Sequence, residues 1–118
     1  MIASAIDEQV LNELIRSLGD RAAEVITVWL SSLDDRVAAI RAGAVARDRQ
    51  GLAIAAHTLR GSASYVGASR LVDSCAEIER RLNRGRSPAD AMPELVGRLE
   101  QDAIEAAAMI RANPLFRR

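Results

Sequence analysis

The chain has 118 residues, of which 49% are hydrophobic, 27% are charged and only 3% are aromatic, so it has room for one domain with one aliphatic core. Its 16 basic and 16 acidic residues balance to a formal charge of zero, which argues against the basic surfaces of nucleic-acid-binding proteins. The single cysteine excludes an internal disulfide, and no apolar run reaches the roughly 18–20 residues of a membrane span.

Two helices are predicted in the first part of the chain from apolar residues at helical spacing. The first is short and runs from Asp7 to Leu18, with Asp7 or a neighbour as its N-cap and Gly19 as its C-terminal stop. Asp20 then has the residue type of an N-cap for a second helix, which continues to about Ala46. At 1.5 Å per residue that helix would be roughly 35–40 Å long, a length typical of an up-and-down bundle.

A third helix is predicted from an N-cap at Asp48 to about Tyr65, with Gly67 at its end. At about 100° per residue, one side of this helix carries an apolar stripe of Leu52, Ala56, Leu59, Ala63 and Val66. The opposite side carries Gln50, Ala53, His57, Arg60, Gly61 and Ser64. The only histidine of the chain should therefore face water, on a helix whose other side lies in the core.

The fourth helix is predicted to start at an N-cap on Ser69 and to end at Gly85. Its apolar stripe consists of Leu71, Val72, Cys75, Ile78 and Leu82. Because Cys75 lies on this stripe, we expect it to pack in the core and to have no catalytic role.

The last helix starts either at Ser87–Pro88 or just before Pro93, since proline is tolerated in the first turn of a helix. Asn113–Pro114 should stop it, and Leu115–Arg118 should be frayed. No stretch of the chain alternates with the period of 2 that strands show. The sequence therefore predicts an all-α fold, an antiparallel up-and-down four-helix bundle with a short additional N-terminal helix, as a single domain over residues 1–118.

The neighbours of His57 set it apart from an ordinary surface histidine, which is what a lone histidine usually is. Arg60 lies one turn further along the same face and carries a permanent positive charge, although most surface arginines are simply solvated. Gly61 costs about 0.5–1 kcal/mol relative to alanine inside a helix. It removes side-chain bulk where another protein could approach the imidazole. The alternative is that Gly61 only kinks the helix or is a tolerated substitution without a function.

The residues from His57 to Glu79 follow the pattern His-x-Leu-Arg-Gly-Ser-x-x-x-x-Gly-Ala-x-x-Leu-x-x-x-Cys-x-x-Ile-Glu. This pattern resembles the histidine-containing phosphotransfer (HPt) domain, and the predicted helices on either side agree with it. The resemblance implies that His57 accepts a phosphoryl group from an aspartyl phosphate on a receiver domain and passes it to another receiver. It also implies that Arg60 neutralises phosphate charge, where the family usually has lysine, and that the receiver closes over Gly61.

The same resemblance assigns a role to Glu79, which could accept a hydrogen bond from Nδ1–H of His57 and leave Nε2 as the nucleophile. The alternative is a surface glutamate paired with Arg80 or Arg81. For phosphoryl transfer little more is needed than this, because the reaction depends mostly on positioning and charge stabilisation.

The docking surface for a receiver is expected around His57, with Gln50, Ala53, Gly61, Ser64 and Ile6 as partner-binding residues. Near the N-terminus, Ile2, Ile6 and Val10 could extend this surface as an exposed apolar patch. Alternatively, they hold the first helix onto the bundle, which we favour for Val10.

No cofactor is expected, because the chain has no Gly-rich phosphate loop, nucleotide motif or metal-ligand pattern, and Mg²⁺ is expected only on the partner receiver domain. The protein should form a covalent phosphohistidine without autonomous kinase activity. The implied partners are response-regulator receiver domains and a hybrid sensor histidine kinase, and not nucleic acid or a membrane. We expect a cytoplasmic monomer, and Met1 favours a free protein over an excised domain.

Three alternative functions remain open at this point. The bundle could be a scaffold that docks a receiver or kinase without carrying phosphate, in which case His57→Gln would leave signalling intact. It could be the phosphoacceptor domain of a larger histidine kinase, which would require an ATP-binding domain. It could also be the dimeric phosphoacceptor hairpin of a sensor kinase, although four long helices can complete a bundle without a second copy.

Overall fold

The computed structural model describes residues 4–85 and 92–116. Over these residues the chain forms five α-helices and two 3₁₀ turns, and no strand. The helices are α1 (Glu8–Leu18), α2 (Ala22–Val45), α3 (Arg49–Val66), α4 (Ser69–Asn83) and α5 (Met92–Arg111).

Helices α2 to α5 form the four-helix bundle, in which each helix packs against the next and α5 closes against α2. The short helix α1 packs against α2 and α3. With 24 residues, α2 is about 36 Å long and runs most of the 46 Å length of the molecule. This confirms the predicted all-α architecture, an up-and-down bundle with an additional N-terminal helix.

The core is aliphatic, as the composition predicts. The predicted stripe of α3 is fully buried and consists of Leu52, Ala56, Leu59, Ala63 and Val66. Cys75 is fully buried as well, and burial raises the pKa of its thiol to about 12. The thiol is therefore protonated at neutral pH and packs as a small apolar group, because a reactive cysteine needs a lowered pKa.

Two contacts fix α2 against α3, the helix that carries His57. At one end, a Cβ on Gly43 would lie 3.2 Å from both Cα and N of Leu52, a tight contact, so the two backbones come close together at this glycine. Further along, Nε1–H of Trp29 donates to the hydroxyl of Ser62 at 2.6 Å and to its carbonyl at 3.1 Å. These contacts set the position and rotation of α3 in the bundle.

The turn between α3 and α4 depends on Gly67, which adopts a left-handed conformation with φ of 80° and was predicted to end α3. A Cβ at this position would lie 2.8 Å from the carbonyl oxygen of Asp7. The amide of Asp7 in turn donates to the carbonyl of Gly67 at 2.7 Å. The beginning of α1 is thus attached directly to the α3–α4 turn.

Two of the four predicted N-caps are confirmed and two are wrong. Asp7 and Asp48 accept hydrogen bonds from backbone amides in the first turns of α1 and α3. Asp20 does not cap α2, because the chain first tightens into a 3₁₀ turn, Gly19–Arg21, and α2 has no side-chain cap. Ser69 is the first residue of α4, and its hydroxyl donates backwards to the carbonyl of Gly67.

At the C-terminal end, α5 begins at Met92, in agreement with a start just before Pro93. The alternative start at Ser87–Pro88 lies outside the described residues. The prediction of a frayed end is wrong for Leu115 and Phe116, which form part of a 3₁₀ turn and pack half-buried against the core. Residues 117–118 are outside the described range. No described helix is long and apolar enough to cross a membrane.

Candidate functional site

His57 lies near the middle of α3, on the side opposite the buried stripe. Its side chain is 70% exposed, which confirms the predicted orientation. This exposure follows from the local sequence, because Ala56 and Leu59 on either side of the histidine turn towards the core and are fully buried. A histidine placed in this way is open to a partner protein.

Three side chains from two helices meet at this position: His57 and Arg60 of α3, and Glu79 of α4. Nε of Arg60 donates to Oε1 of Glu79 at 2.5 Å, and Nη2 of Arg60 is 3.5 Å from Oε2. The imidazole Nδ1 lies 3.1 Å from Nη2 of Arg60 and 3.3 Å from Oε2 of Glu79. Sequence reasoning placed Glu79 near Nδ1, but it did not predict that Arg60 and Glu79 would also pair with each other.

The Arg60–Glu79 pair is a charge-assisted contact between two helices. The side-chain hydrogen bond from Arg60 to Glu79, together with their Coulomb attraction, raises the pKa of Arg60, so the guanidinium stays charged at any physiological pH. Glu79 does not pair with Arg80 or Arg81, the alternative considered from sequence. Those two arginines lie beside Glu77 instead, at 2.6 and 3.7 Å.

Both polar contacts of the imidazole are made at Nδ1. Within residues 4–85 and 92–116, no side chain forms a hydrogen bond with Nε2. A neutral imidazole carries one proton, so the nitrogen without it has a free lone pair. When the proton is on Nδ1 and points to Glu79, the unprotonated Nε2 is left open to solvent. This arrangement suits an attack by Nε2 on an electrophile brought by another molecule.

The surface around the imidazole is shallow and largely free of side-chain bulk. A depression beside His57 is lined by Arg60, Gly61, Ser64 and Val72. A Cβ on Gly61 would have no neighbour within 4 Å, so the fold itself does not require glycine here. Gly61 therefore lowers the stability of the helix without relieving any steric contact within the isolated chain.

Two exposed apolar side chains on α3 were missed by sequence reasoning. Ile54 is 60% exposed and lies one turn before His57, and Tyr65 is 51% exposed and lies one turn beyond Gly61. Both positions fall off the buried stripe of α3, on the solvent side of the helix. A large apolar residue on the solvent-facing side of a predicted helix indicates an exposed apolar contact surface, and the sequence contains this pattern at both positions.

The other predicted docking residues divide into two groups. Gln50 and Ser64 are exposed and Ala53 is half-buried on the same helix as His57. Ile6, however, is only 3% exposed and belongs to the core, so the prediction that it contributes to an exposed docking patch is wrong. The reason is that the chain before α1 folds back onto the bundle. Val10 packs at Gly67, as the alternative interpretation held.

No group of three or more potential ligands that could hold a metal ion occurs in the described part of the chain. Cys75, four residues before Glu79 on α4, is a buried neutral thiol. The chemistry that the exposed site can perform therefore rests on the imidazole and its two charged neighbours.

The comparison with protein families decides what kind of site this is. The model of the Hpt domain family matches residues 24–112, well over half of the chain. The chain belongs to the Hpt domain family. The match includes all three residues of the His57 cluster and confirms the predicted function at the level of the domain, a phosphorelay intermediate of two-component signalling.

Two individual proteins are similar to this Hpt domain. The crystal structure of histidine-containing phosphotransfer protein B (HptB) from Pseudomonas aeruginosa PAO1 shares its fold, with a TM-score of 0.88, 24% identity, and coverage of 99% of this chain and 100% of that one. The sensor histidine kinase GacS of Pseudomonas protegens is 30% identical over an alignment of 107 residues that covers 83% of this chain. The aligned region is only 12% of the length of GacS.

Proposed function

We propose that His57 is the phosphoacceptor of this Hpt domain and carries the phosphoryl group between two receiver domains. The observation that supports this most directly is the exposed imidazole whose Nδ1 is engaged by residues of α3 and α4 while Nε2 is open. In the transfer, the Nε2 lone pair forms a bond to phosphorus as the bond from phosphorus to the aspartyl oxygen breaks. The electrons of that bond leave with the receiver's carboxylate.

The two charged neighbours have separate roles in this proposal. Glu79 accepts the hydrogen bond from Nδ1–H, which keeps the proton off Nε2 and offsets the positive charge that the ring gains on phosphorylation. Arg60 supplies a permanent cation one turn from His57 and neutralises phosphoryl oxygens. Gly61 leaves space for the receiver's active site to close, and Ser64, Gln50 and Ala53 lie along the docking face.

The partners follow from the same chemistry. Membership of the Hpt family implies two-component partners, and we infer that these are response-regulator receiver domains and a hybrid sensor histidine kinase. In this proposal the receiver supplies the Mg²⁺ and the acidic residues that hold it. We further infer a monomer, since α2 to α5 enclose a complete core within one chain, and a cytoplasmic location, which suits a single unpaired cysteine.

The direct test is phosphoryl transfer from a receiver domain labelled on its aspartate, with Mg²⁺ present, to the wild-type chain and to His57→Gln. We expect label on the wild type only, in an acid-labile and base-stable linkage. Circular dichroism of His57→Gln should match the wild type, since the side chain is exposed. If receivers bind both proteins equally and no label moves, the chain acts as a docking scaffold and the phosphoacceptor role is wrong.

A further inference from the structure

The imidazole Nδ1 faces a hydrogen-bond donor and a hydrogen-bond acceptor at the same time. Nη2 of Arg60, which can only donate, lies 3.1 Å away, and Oε2 of the Glu79 carboxylate, which can only accept, lies 3.3 Å away. One ring nitrogen of a neutral imidazole can satisfy only one of these neighbours. If Nδ1 carries the proton, Glu79 is the partner; if Nδ1 is bare, Arg60 is the partner and the proton must be on Nε2.

We propose that Arg60 and Glu79 compete for Nδ1 of His57, so that the unphosphorylated protein divides between two tautomers and only the one selected by Glu79 can accept phosphate. This proposal rests on the phosphoacceptor function proposed above. The competition makes Arg60 a positioning residue before transfer as well as a phosphate-binding residue after it. In the tautomer selected by Arg60, the proton is on Nε2, so this nitrogen has no free lone pair and cannot attack the phosphoryl group.

The side chain of arginine is what allows this competition. Its planar fork places Nε on Oε1 of Glu79 at 2.5 Å while Nη2 reaches Nδ1 of His57, so one guanidinium holds both partners at once. The single ammonium nitrogen of lysine, the residue more usual at this position in the family, cannot occupy both places. A lysine would keep the positive charge while leaving Nδ1 to Glu79.

Transfer itself should move Arg60. Attack by Nε2 leaves the ring proton on Nδ1, and the phosphorylated ring is then an imidazolium whose Nδ1–H donates to Glu79. Nη2 of Arg60 can no longer face this nitrogen, because both groups are donors. The new acceptors within its reach are the phosphoryl oxygens, and Nε can remain on Glu79. Phosphorylation thus exchanges one partner of Arg60 and locks the ring in the tautomer that Glu79 selects.

Nitrogen NMR of the imidazole tests the competition without any phosphodonor. Because His57 is the only histidine, ¹⁵N-labelled protein gives a single pair of ring signals, and their shifts report which nitrogen carries the proton. At a pH where the ring is neutral, we expect both tautomers in the wild type and a larger Nδ1–H fraction in Arg60→Lys and in Arg60→Met. Arg41→Lys is the control, because Arg41 forms a similar interhelical pair with Glu100 on the α2–α5 side.

Transfer kinetics give the second readout, since the acceptance rate scales with the fraction of competent tautomer. Arg60→Lys should accept phosphate at least as fast as the wild type. The increase in its acceptance rate should not exceed the measured increase in the Nδ1–H fraction. Arg60→Met should show the same tautomer shift but slower acceptance, because the phosphate-binding charge is lost.

A wild-type ring that is entirely Nδ1–H, or a tautomer ratio that neither Arg60 variant changes, would overturn the competition. If the ratio shifts as expected but no label reaches wild-type His57, the competition stands and the phosphoacceptor function fails.

Discussion

Replacement of Gly61 by alanine should make the protein more stable and a poorer phosphotransfer partner. In the interior of a helix, alanine is favoured over glycine by about 0.5–1 kcal/mol. The Cβ added at residue 61 would meet nothing within 4 Å, so no clash offsets this gain. We therefore expect the free energy of unfolding of Gly61→Ala to rise by about that amount, measured by urea denaturation.

The effect on transfer should have the opposite sign. The new methyl group lies one turn from the imidazole on the same face of α3, where the receiver's active site must close. A methyl group forced into a closely packed contact costs about 1–3 kcal/mol, and 1.4 kcal/mol corresponds to a tenfold change in rate. We expect transfer to Gly61→Ala to slow by about tenfold or more at receiver concentrations below saturation.

Gly97→Ala provides the matched control. Gly97 is also exposed in the interior of a helix, α5, and a Cβ there would likewise have no neighbour within 4 Å. Both variants should gain similar stability, but only Gly61→Ala should lose transfer rate. If the two variants accept phosphate equally fast, Gly61 is not the point of closest approach, and the inference drawn from its empty surroundings is wrong.

Three further predictions concern the bundle that holds the site. Gly67→Ala should lower the free energy of unfolding by at least about 1–2 kcal/mol in denaturant titrations, because of the left-handed backbone and the contact with Asp7; an unchanged midpoint would contradict this. Ser74→Ala should cost about 1–3 kcal/mol in the same assay, since the buried Asp102 loses the hydroxyl that donates to it, whereas the exposed Ser31→Ala should cost little. Cys75 should resist thiol reagents in the native state and react after unfolding. Because burial disfavours the thiolate and raises the pKa of the folded thiol, the free energy of unfolding should fall as the pH rises from 9.0 towards about 12, where only the unfolded chain ionises.

Much of this architecture follows from helical spacing alone. The stripe containing Leu59 and Val66 had to be buried once α3 was recognised, and its burial turned His57 outward. The family pattern then pointed to Arg60 and Glu79. These are properties of a single helix or of a motif, and they do not depend on how neighbouring helices are rotated.

The errors share a different physical origin. Asp20 and Ser69 have the right side chains for caps, but the backbone uses a 3₁₀ turn before α2 and a left-handed glycine before α4. Ile6 was placed on the surface because its burial depends on the path of the chain before α1. The Arg60–Glu79 pair depends on the packing of α3 against α4, which residue spacing along one helix does not specify.

The hydrogen bond from Asp7 to Gly67 has a practical consequence for dissecting this protein. The family match begins at residue 24, after α1, yet the start of α1 is attached to the turn that joins the His57 helix to the Glu79 helix. A fragment or chimera cut at residue 24 would remove this attachment together with Leu11, which is buried in the core. The smallest transferable unit for engineering therefore begins before Asp7, upstream of the boundary that family similarity alone would suggest.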